Sequence, residues 1–352
     1  MFLTIALIPV FLCSADSEIR RPVDTVGYTH TAAGITRVVR HAEAAEKERL
    51  ETAKYDEQAP FIAAVSPHDD YLYAQRVYVH AFPCLKARHV ILIGVAHRAR
   101  NFPECEGKLV FDAHRAWQGP YGEVTISELR EDLLDALPEG DTLVSDEIHA
   151  GEHSLEGLVP FLQHYNRSAR VVPVLVPYMS WERLQALADV TGRALAGIMK
   201  KKGLAPGQDV ALLISNDAVH YGDQDWGGKS FADFGTSGAA YDKAVARDLN
   251  LIADHLTGEI TRTKLEGFYR KVVAEDYHEY RITWCGRFSV PFGLAALASL
   301  SDALERPAPE GMLLRYGTTL DPGRSDPGVE GLGVTAKANL HHWVGFTAIG
   351  YR

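Results

Sequence analysis

Three apolar runs in this chain end at residues able to bind metal or move protons. Phe61–Val65 runs into Ser66-Pro67-His68-Asp69-Asp70-Tyr71, and Val90–Val95 into Ala96-His97. Val210–Ile214 runs into Ser215-Asn216-Asp217-Ala218-Val219-His220-Tyr221-Gly222. Taken singly, a histidine after a strand is an ordinary hydrogen-bonded loop residue. Three such ends together are harder to dismiss, because parallel strands bring their carboxyl ends to one rim, where open α/β sheets bind ligands. Neutral imidazole is the commonest metal-ligand side chain, and two histidines with open positions suit Fe, Cu or Zn.

Two further motifs join this set. In Glu152-His153-Ser154-Leu155-Glu156, Ser154 is placed to cap a following helix, which directs Glu152 and His153 toward the crevice. The competing reading is that Glu152 and Glu156 merely favour a helix N-terminus. Cys285-Gly286-Arg287 follows Trp284. Taken alone, a Cys in such an apolar neighbourhood is usually a small buried hydrophobe; the alternative is a thiolate beside a metal or a helix N-terminus, and the sequence does not choose between them. There is no HExxH, no GxSxG and no GxGxxG after a strand, and Gly222 to Gly228-Lys229-Ser230 has one residue too many for a P-loop.

The elements that must position these residues follow from the same runs. Continuous apolar stretches, with Val171–Val176 as a fourth, read as strands buried on both faces of a largely parallel sheet. Pro173 weakens that fourth strand or puts it at an edge. Helices are expected at 127–137, 154–165, 181–201, 239–256 and 261–273, as crossovers between parallel strands. Trp343–Ile349 is a closing strand candidate. Lys200-Lys201-Lys202 complements the end of a helix dipole. From His30 to Tyr55 runs a helix whose Glu43, Glu46 and Glu48 read as a solvated face. Residues 221–236 and 321–333 are loop-rich candidate lids.

Composition narrows the class. A net charge of -10 without a Lys/Arg block argues against nucleic acid as a partner. Four cysteines with no CxxC pair exclude a disulfide framework and a zinc ribbon. Residues 1–15 have the length and apolarity of a signal peptide, although no Lys or Arg precedes the run and Pro9 interrupts it. Export to the periplasm and a buried strand are equally weighted there. No integral membrane span is expected. The division is 1–15 as candidate signal peptide, 16–59 as an irregular lead-in and helix, and 60–352 as one α/β domain.

Pro67-His68, Gly94-x-x-His97, the Glu152–Glu156 motif with Leu158–Leu162, Ser215-x-Asp217-x-x-His220-Tyr221-Gly222 and Cys285-Gly286 occur in the order and spacing of the Memo family. Leu313–Tyr316 and Val344-Gly345-Phe346 fit its closing strands. Over about residues 60–351 the chain resembles that family, which includes the B component of the AmmeMemoRadiSam system. The resemblance implies a mostly parallel central sheet flanked by helices, similar to the LigB-type class III extradiol dioxygenase fold. It implies metal ligands His68, His97 and Cys285, with Asp217, His220 and His153 lining the pocket and His220 at the acid/base position. It also implies a cytoplasmic location and partners from that system. A His-His-thiolate set is softer than His-His-carboxylate and favours iron or copper.

The chain departs from the family at Asp69-Asp70, where the family reads Ala-Gly. Two acids there add charge and bulk at the pocket mouth. Three functions are weighed: a metal-dependent oxygenase or oxidase for a small molecule; a non-catalytic module binding metal, a peptide or a partner in the same crevice; and a hydrolase. The last ranks lowest, because thiolate donation weakens a Lewis acid.

Overall fold

The computed structural model describes residues 19–53, 59–321 and 326–352. The candidate signal peptide lies outside them. Ten strands form the large sheet: β1 Ala63–Ser66, β2 His89–Val95, β3 Leu109–Phe111, β4 Thr142–Val144, β5 Arg170–Val176, β6 Val210–Ser215, β7 Asp217–Gly222, β8 Gly258–Glu259, β9 Glu310–Thr318 and β10 His342–Tyr351. The order is β8-β9-β10-β1-β6-β2-β5-β3-β4, with β7 paired to β10. Its centre, β1-β6-β2-β5, is parallel. Every residue of β1, β2 and β6 is buried, as continuous apolar runs require when both faces are covered. The flanks are mixed: β10 runs antiparallel to β1, β7 and β9, and β3 antiparallel to β5.

Pro173 does not mark an edge. It sits opposite Leu92 inside the sheet. On the other side of β5, Val171 bridges Ile126 and Val174 pairs with Phe111, which leaves Val172 and Pro173 without a partner in register there. A missing N–H is tolerated where no ladder bond is offered.

Helices α1 Ala32–Ala45, α2 Tyr71–Ala81, α3 Leu158–Tyr165, α4 Trp181–Lys202, α5 Gly238–His255, α6 Arg262–Val272 and α7 Ser289–Ala303 flank the sheet. Ser180, Ser237 and Thr261 cap α4, α5 and α6 with their side-chain oxygens, each cap contributing ~1 kcal/mol. The lysine triplet fills the last turn of α4, which closes on left-handed Gly203. Gly192 lets α4 cross α7 closely: a Cβ there would stand 2.4 Å from Ala296 O.

Two further expectations change. The helix at 30–55 breaks at Glu46, which is not a solvated residue. Its carboxylate is buried against Arg76 at 2.6 Å, Arg315 at 3.1 Å and His80 at 3.3 Å. The lead-in is not irregular throughout. Ile19–Arg20 pairs with Ala116–Trp117, and buried Arg20 donates to Glu156 at 3.0 Å.

Candidate metal centre

The polypeptide turns over the carboxyl edge of the parallel strands immediately after β1. His68 is buried there, its Nδ1 2.8 Å from Ser215 Oγ at the end of β6. The Ser215 hydroxyl donates its own proton to Ser154 O at 2.5 Å. Its oxygen therefore accepts from His68, so Nδ1 carries the proton and Nε2 a lone pair. Burial, then the neighbouring His97 and His153, push the His68 pKa well down and hold the ring neutral. His68 Nε2 lies 3.2 Å from Asp217 Oδ2, and Asp217 Oδ1 accepts the His68 backbone N–H at 3.0 Å. A lone pair facing a carboxyl needs a positive centre between them. The acid proton of Asp217, whose pKa burial raises to about 7, or a metal ion supplies one.

His97, just past β2, is held by Glu152. One carboxylate oxygen takes the His97 backbone N–H at 2.7 Å, and the other takes Nδ1–H at 2.8 Å. The backbone N–H groups of His153 and Ser154 also donate to Glu152, at 2.9 and 2.8 Å. Burial works against ionising Glu152, but His97 and these donors outweigh it and hold the carboxyl far below its usual range. Burial likewise opposes charging of His97; the facing Glu152 prevails and raises its pKa well above the ordinary value. A carboxylate on Nδ1–H orients Nε2 toward a ligand position, as in carboxylate–histidine–metal triads.

Cys285 opens a short 3-10 turn, Cys285–Arg287, ahead of α7. Its Sγ stands 3.0 Å from His220 Nε2 and 3.5 Å from His97 Nε2. Burial raises the thiol pKa. Gly286 is required by the approach of Asn216, whose Oδ1 accepts the Gly286 N–H at 3.0 Å and would lie 2.2 Å from a Cβ. His220 sits on β7, bonded through its backbone to Thr283, and burial lowers its pKa to about 3. His153 is half-exposed and stacks on His97, with centroids 4.7 Å apart and planes 9° apart.

All six expected residues, His68, His97, His153, Asp217, His220 and Cys285, line one cavity of about 400 Å³. Ligand atoms of His68, Asp217 and Cys285 lie within 4.8 Å of one another, and so do those of His68, His97 and His153. This donor set fits a metal ion. It offers imidazole nitrogens, that of His97 once it gives up its Nε2 proton, with a thiol and a carboxyl, and the two imidazoles His68 and His97 are oriented by partners on Nδ1.

Several residues at the site escaped the sequence reading. Ser154 does not cap a helix; α3 begins later, and the Ser154 hydroxyl donates to Val95 O at 2.9 Å. Glu152 is not a helix-dipole residue but the partner of His97, and Glu156 grips the lead-in through Arg20 and the N–H groups of Val23 and Asp24. Tyr28 donates to His68 O and, with Asp24, lines the cavity. Nothing local to the lead-in signals this. Trp226 and His342 stack at 4.0 Å to form another wall, so Trp226 brings the loop after β7 to the site. Asp70 is turned away from the donors: Oδ2 accepts Thr335 N–H at 2.6 Å and Thr335 Oγ1–H at 3.0 Å.

The chain matches the family described as Memo-like protein over residues 32–326. It is 27% identical over 265 residues to a MEMO1 family protein of Aquifex aeolicus, covering 74% of this chain and 79% of that protein. A MEMO1 family protein of Saccharolobus islandicus is 30% identical over 168 residues, covering 45% of this chain and 52% of its own length. One from Methanosarcina barkeri is 31% identical over 163 residues, covering 46% and 55%. The matched stretch thus spans about half the length of these last two relatives.

Proposed function

The chain belongs to the Memo-like family, and from that premise we propose that its crevice holds one redox-active ion, iron or copper, on His68, His97 and Cys285, and that the protein oxidises a small molecule. The observation that carries this reading is the pair of fixed imidazoles. Nδ1 of His68 is engaged by Ser215 and Nδ1 of His97 by Glu152, which leaves each Nε2 for the cavity; His97 Nε2 is 3.5 Å from the Cys285 sulfur, and His68 and Cys285 ligand atoms lie within 4.8 Å. Two nitrogens and a sulfur form a soft set that selects iron or copper over Mg or Ca. Such an ion would supply one-electron chemistry and activation of dioxygen.

The chain's own residues do the rest. His220 Nε2, neutral and 3.0 Å from the sulfur, accepts the hydrogen bond of the Cys285 thiol and is the residue placed to pass its proton on when the sulfur becomes a ligand. Asp217 fixes His68 through its backbone N–H. Burial of His68 and Cys285 keeps bulk water off the donors.

A second reading, a non-catalytic module for metal, a peptide or a partner protein, draws support from Asp70. Its clamp on Thr335 ties the 326–341 loop across the mouth, where the family carries a small residue. Metal analysis after anaerobic purification, on wild type and Cys285→Ser, tests the first reading. About one iron or copper per chain, lost in the variant, is expected from the three-donor set. No metal after reconstitution with Fe(II) or Cu(I) overturns it in favour of the binding module. Metal-dependent dioxygen consumption with a small substrate separates enzyme from carrier.

A further inference from the structure

Strand β7 does not pair regularly with β10. Asp217 stands opposite Phe346 and His220 opposite Val344, so three steps along β7 match two along β10. The extra residue makes a bulge, a device that re-aims side chains and leaves a backbone group out of the ladder. Here the Val219 N–H goes to Asp248 Oδ2, on α5, at 3.2 Å. The next N–H, that of His220, donates to Thr283 O at 2.9 Å.

Asp248 is fully buried. Its Oδ1 accepts the Trp284 indole N–H at 2.9 Å, and Oδ2 also accepts the Tyr316 hydroxyl proton at 2.9 Å. Trp284, itself fully buried, packs edge-on against Phe268 and immediately precedes Cys285. Gly345 on β10 clears the space: a Cβ there would stand 2.7 Å from the Tyr316 hydroxyl oxygen and 3.0 Å from Asp248 Oδ2. All three partners of the carboxyl are neutral. For stability alone such a group is costly, since apolar side chains of like shape fill a core as well or better. Its two oxygens do what an apolar group cannot. One holds the residue before His220 and the other the residue before Cys285, although His220 and Cys285 lie 65 positions apart.

Resting on the reading of His220 as proton acceptor for the Cys285 thiol, we propose that Asp248, outside the cavity lining, is the positioning residue that fixes the 3.0 Å contact between His220 Nε2 and the Cys285 sulfur. The rigid carboxyl ties the bulge of β7 to the turn that opens with Cys285, so the two side chains meet in one geometry. Tyr316 completes the same carboxyl but belongs to neither segment.

The test reads the contact in the metal-free full chain, as the rate at which iodoacetamide alkylates Cys285 at fixed pH, followed by peptide mass spectrometry. Asp248→Asn replaces an acceptor oxygen by a donor amide. Trp284→Phe keeps an aromatic ring and removes the N–H. Both are expected to slow alkylation about fivefold or more, because the thiol loses the imidazole that accepts its proton. Tyr316→Phe also removes one hydrogen bond from the carboxyl, and is expected to lower the melting temperature with the rate unchanged. In a His220→Gln background the effects of Asp248→Asn and Trp284→Phe should vanish. An unchanged or faster rate in either variant that folds overturns the proposal. So does equal slowing by Tyr316→Phe, or slowing that persists undiminished without His220. The expected pattern in a protein that takes up no Fe(II) or Cu(I) sinks the redox reading but not this one. Metal uptake without the pattern does the reverse.

Discussion

Glu152 holds His97 at two points, the backbone N–H at 2.7 Å and the imidazole Nδ1–H at 2.8 Å, and so fixes both the position and the tautomer of the ring. The consequence is a division of labour in which the donors face the cavity and their orienters lie behind them.

Replacing Glu152 by Gln removes the charge but keeps the shape. It turns an acceptor of four N–H groups into one with a donor amide among them. Metal affinity is expected to fall about 10- to 100-fold. Competition titration against a chelator measures this, and near-native far-UV circular dichroism separates it from unfolding. Unchanged affinity would mean that Glu152 serves folding alone.

Asp217→Asn keeps an oxygen for the His68 backbone N–H, which it accepts at 3.0 Å, but places an uncharged group near His68 Nε2. If Asp217 only orients His68, metal stoichiometry stays at the wild-type value. That is the expected outcome, with a shifted absorption spectrum. Loss of the ion would move Asp217 into the ligand set, where its distance to His68 and Cys285 also allows it.

Gly286→Ala drives a Cβ to within 2.2 Å of Asn216 Oδ1, inside the wall that carries Cys285. Overpacking of this kind costs ~1–3 kcal/mol. The sulfur is expected to shift with the turn, lowering both the melting temperature and metal content. Wild-type values for both would show that the Asn216 contact yields freely.

Glu46 supplies a pH prediction remote from the metal centre. Burial alone would raise its pKa, but the hydrogen bond from His80 and the guanidinium groups of Arg315 and Arg76 outweigh burial and lower it from 4.5 to about 2. A depressed carboxyl stabilises the fold fully above its unfolded pKa and loses that contribution as pH falls through the folded one. The stabilisation is therefore complete above about pH 5 and fades between there and pH 2. Glu46→Gln is expected to cost ~3 kcal/mol at pH 7, because it strands buried positive charge. It should also flatten the acid limb of a urea-denaturation series; parallel curves for variant and wild type would refute the assignment.

Much of the architecture was legible in the chain. Continuous apolar runs placed β1, β2, β5 and β6, since a strand covered on both faces needs no polar alternation. A helical stretch ending in a lysine-rich turn placed α4 to within a residue. The convergence of His68, His97 and Asp217 followed from parallel strand ends alone. Periodicity reports that a residue is buried, however, not what buries it. Glu152 and His97 are 55 positions apart, and beside a helix start a glutamate looks the same whether it complements a dipole or grips an imidazole. Glu46 read as solvated because its partners Arg76, His80 and Arg315 arrive from α2 and β9. Asp24 and Tyr28 carry no local pattern and meet the cavity only because Glu156 and Arg20 pin the lead-in against it. Strand ends and donor types are properties of short segments, so the sequence by itself determined them. Which carboxylate orients which histidine depends on how segments distant in the chain close over one another, and only the tertiary structure decided that.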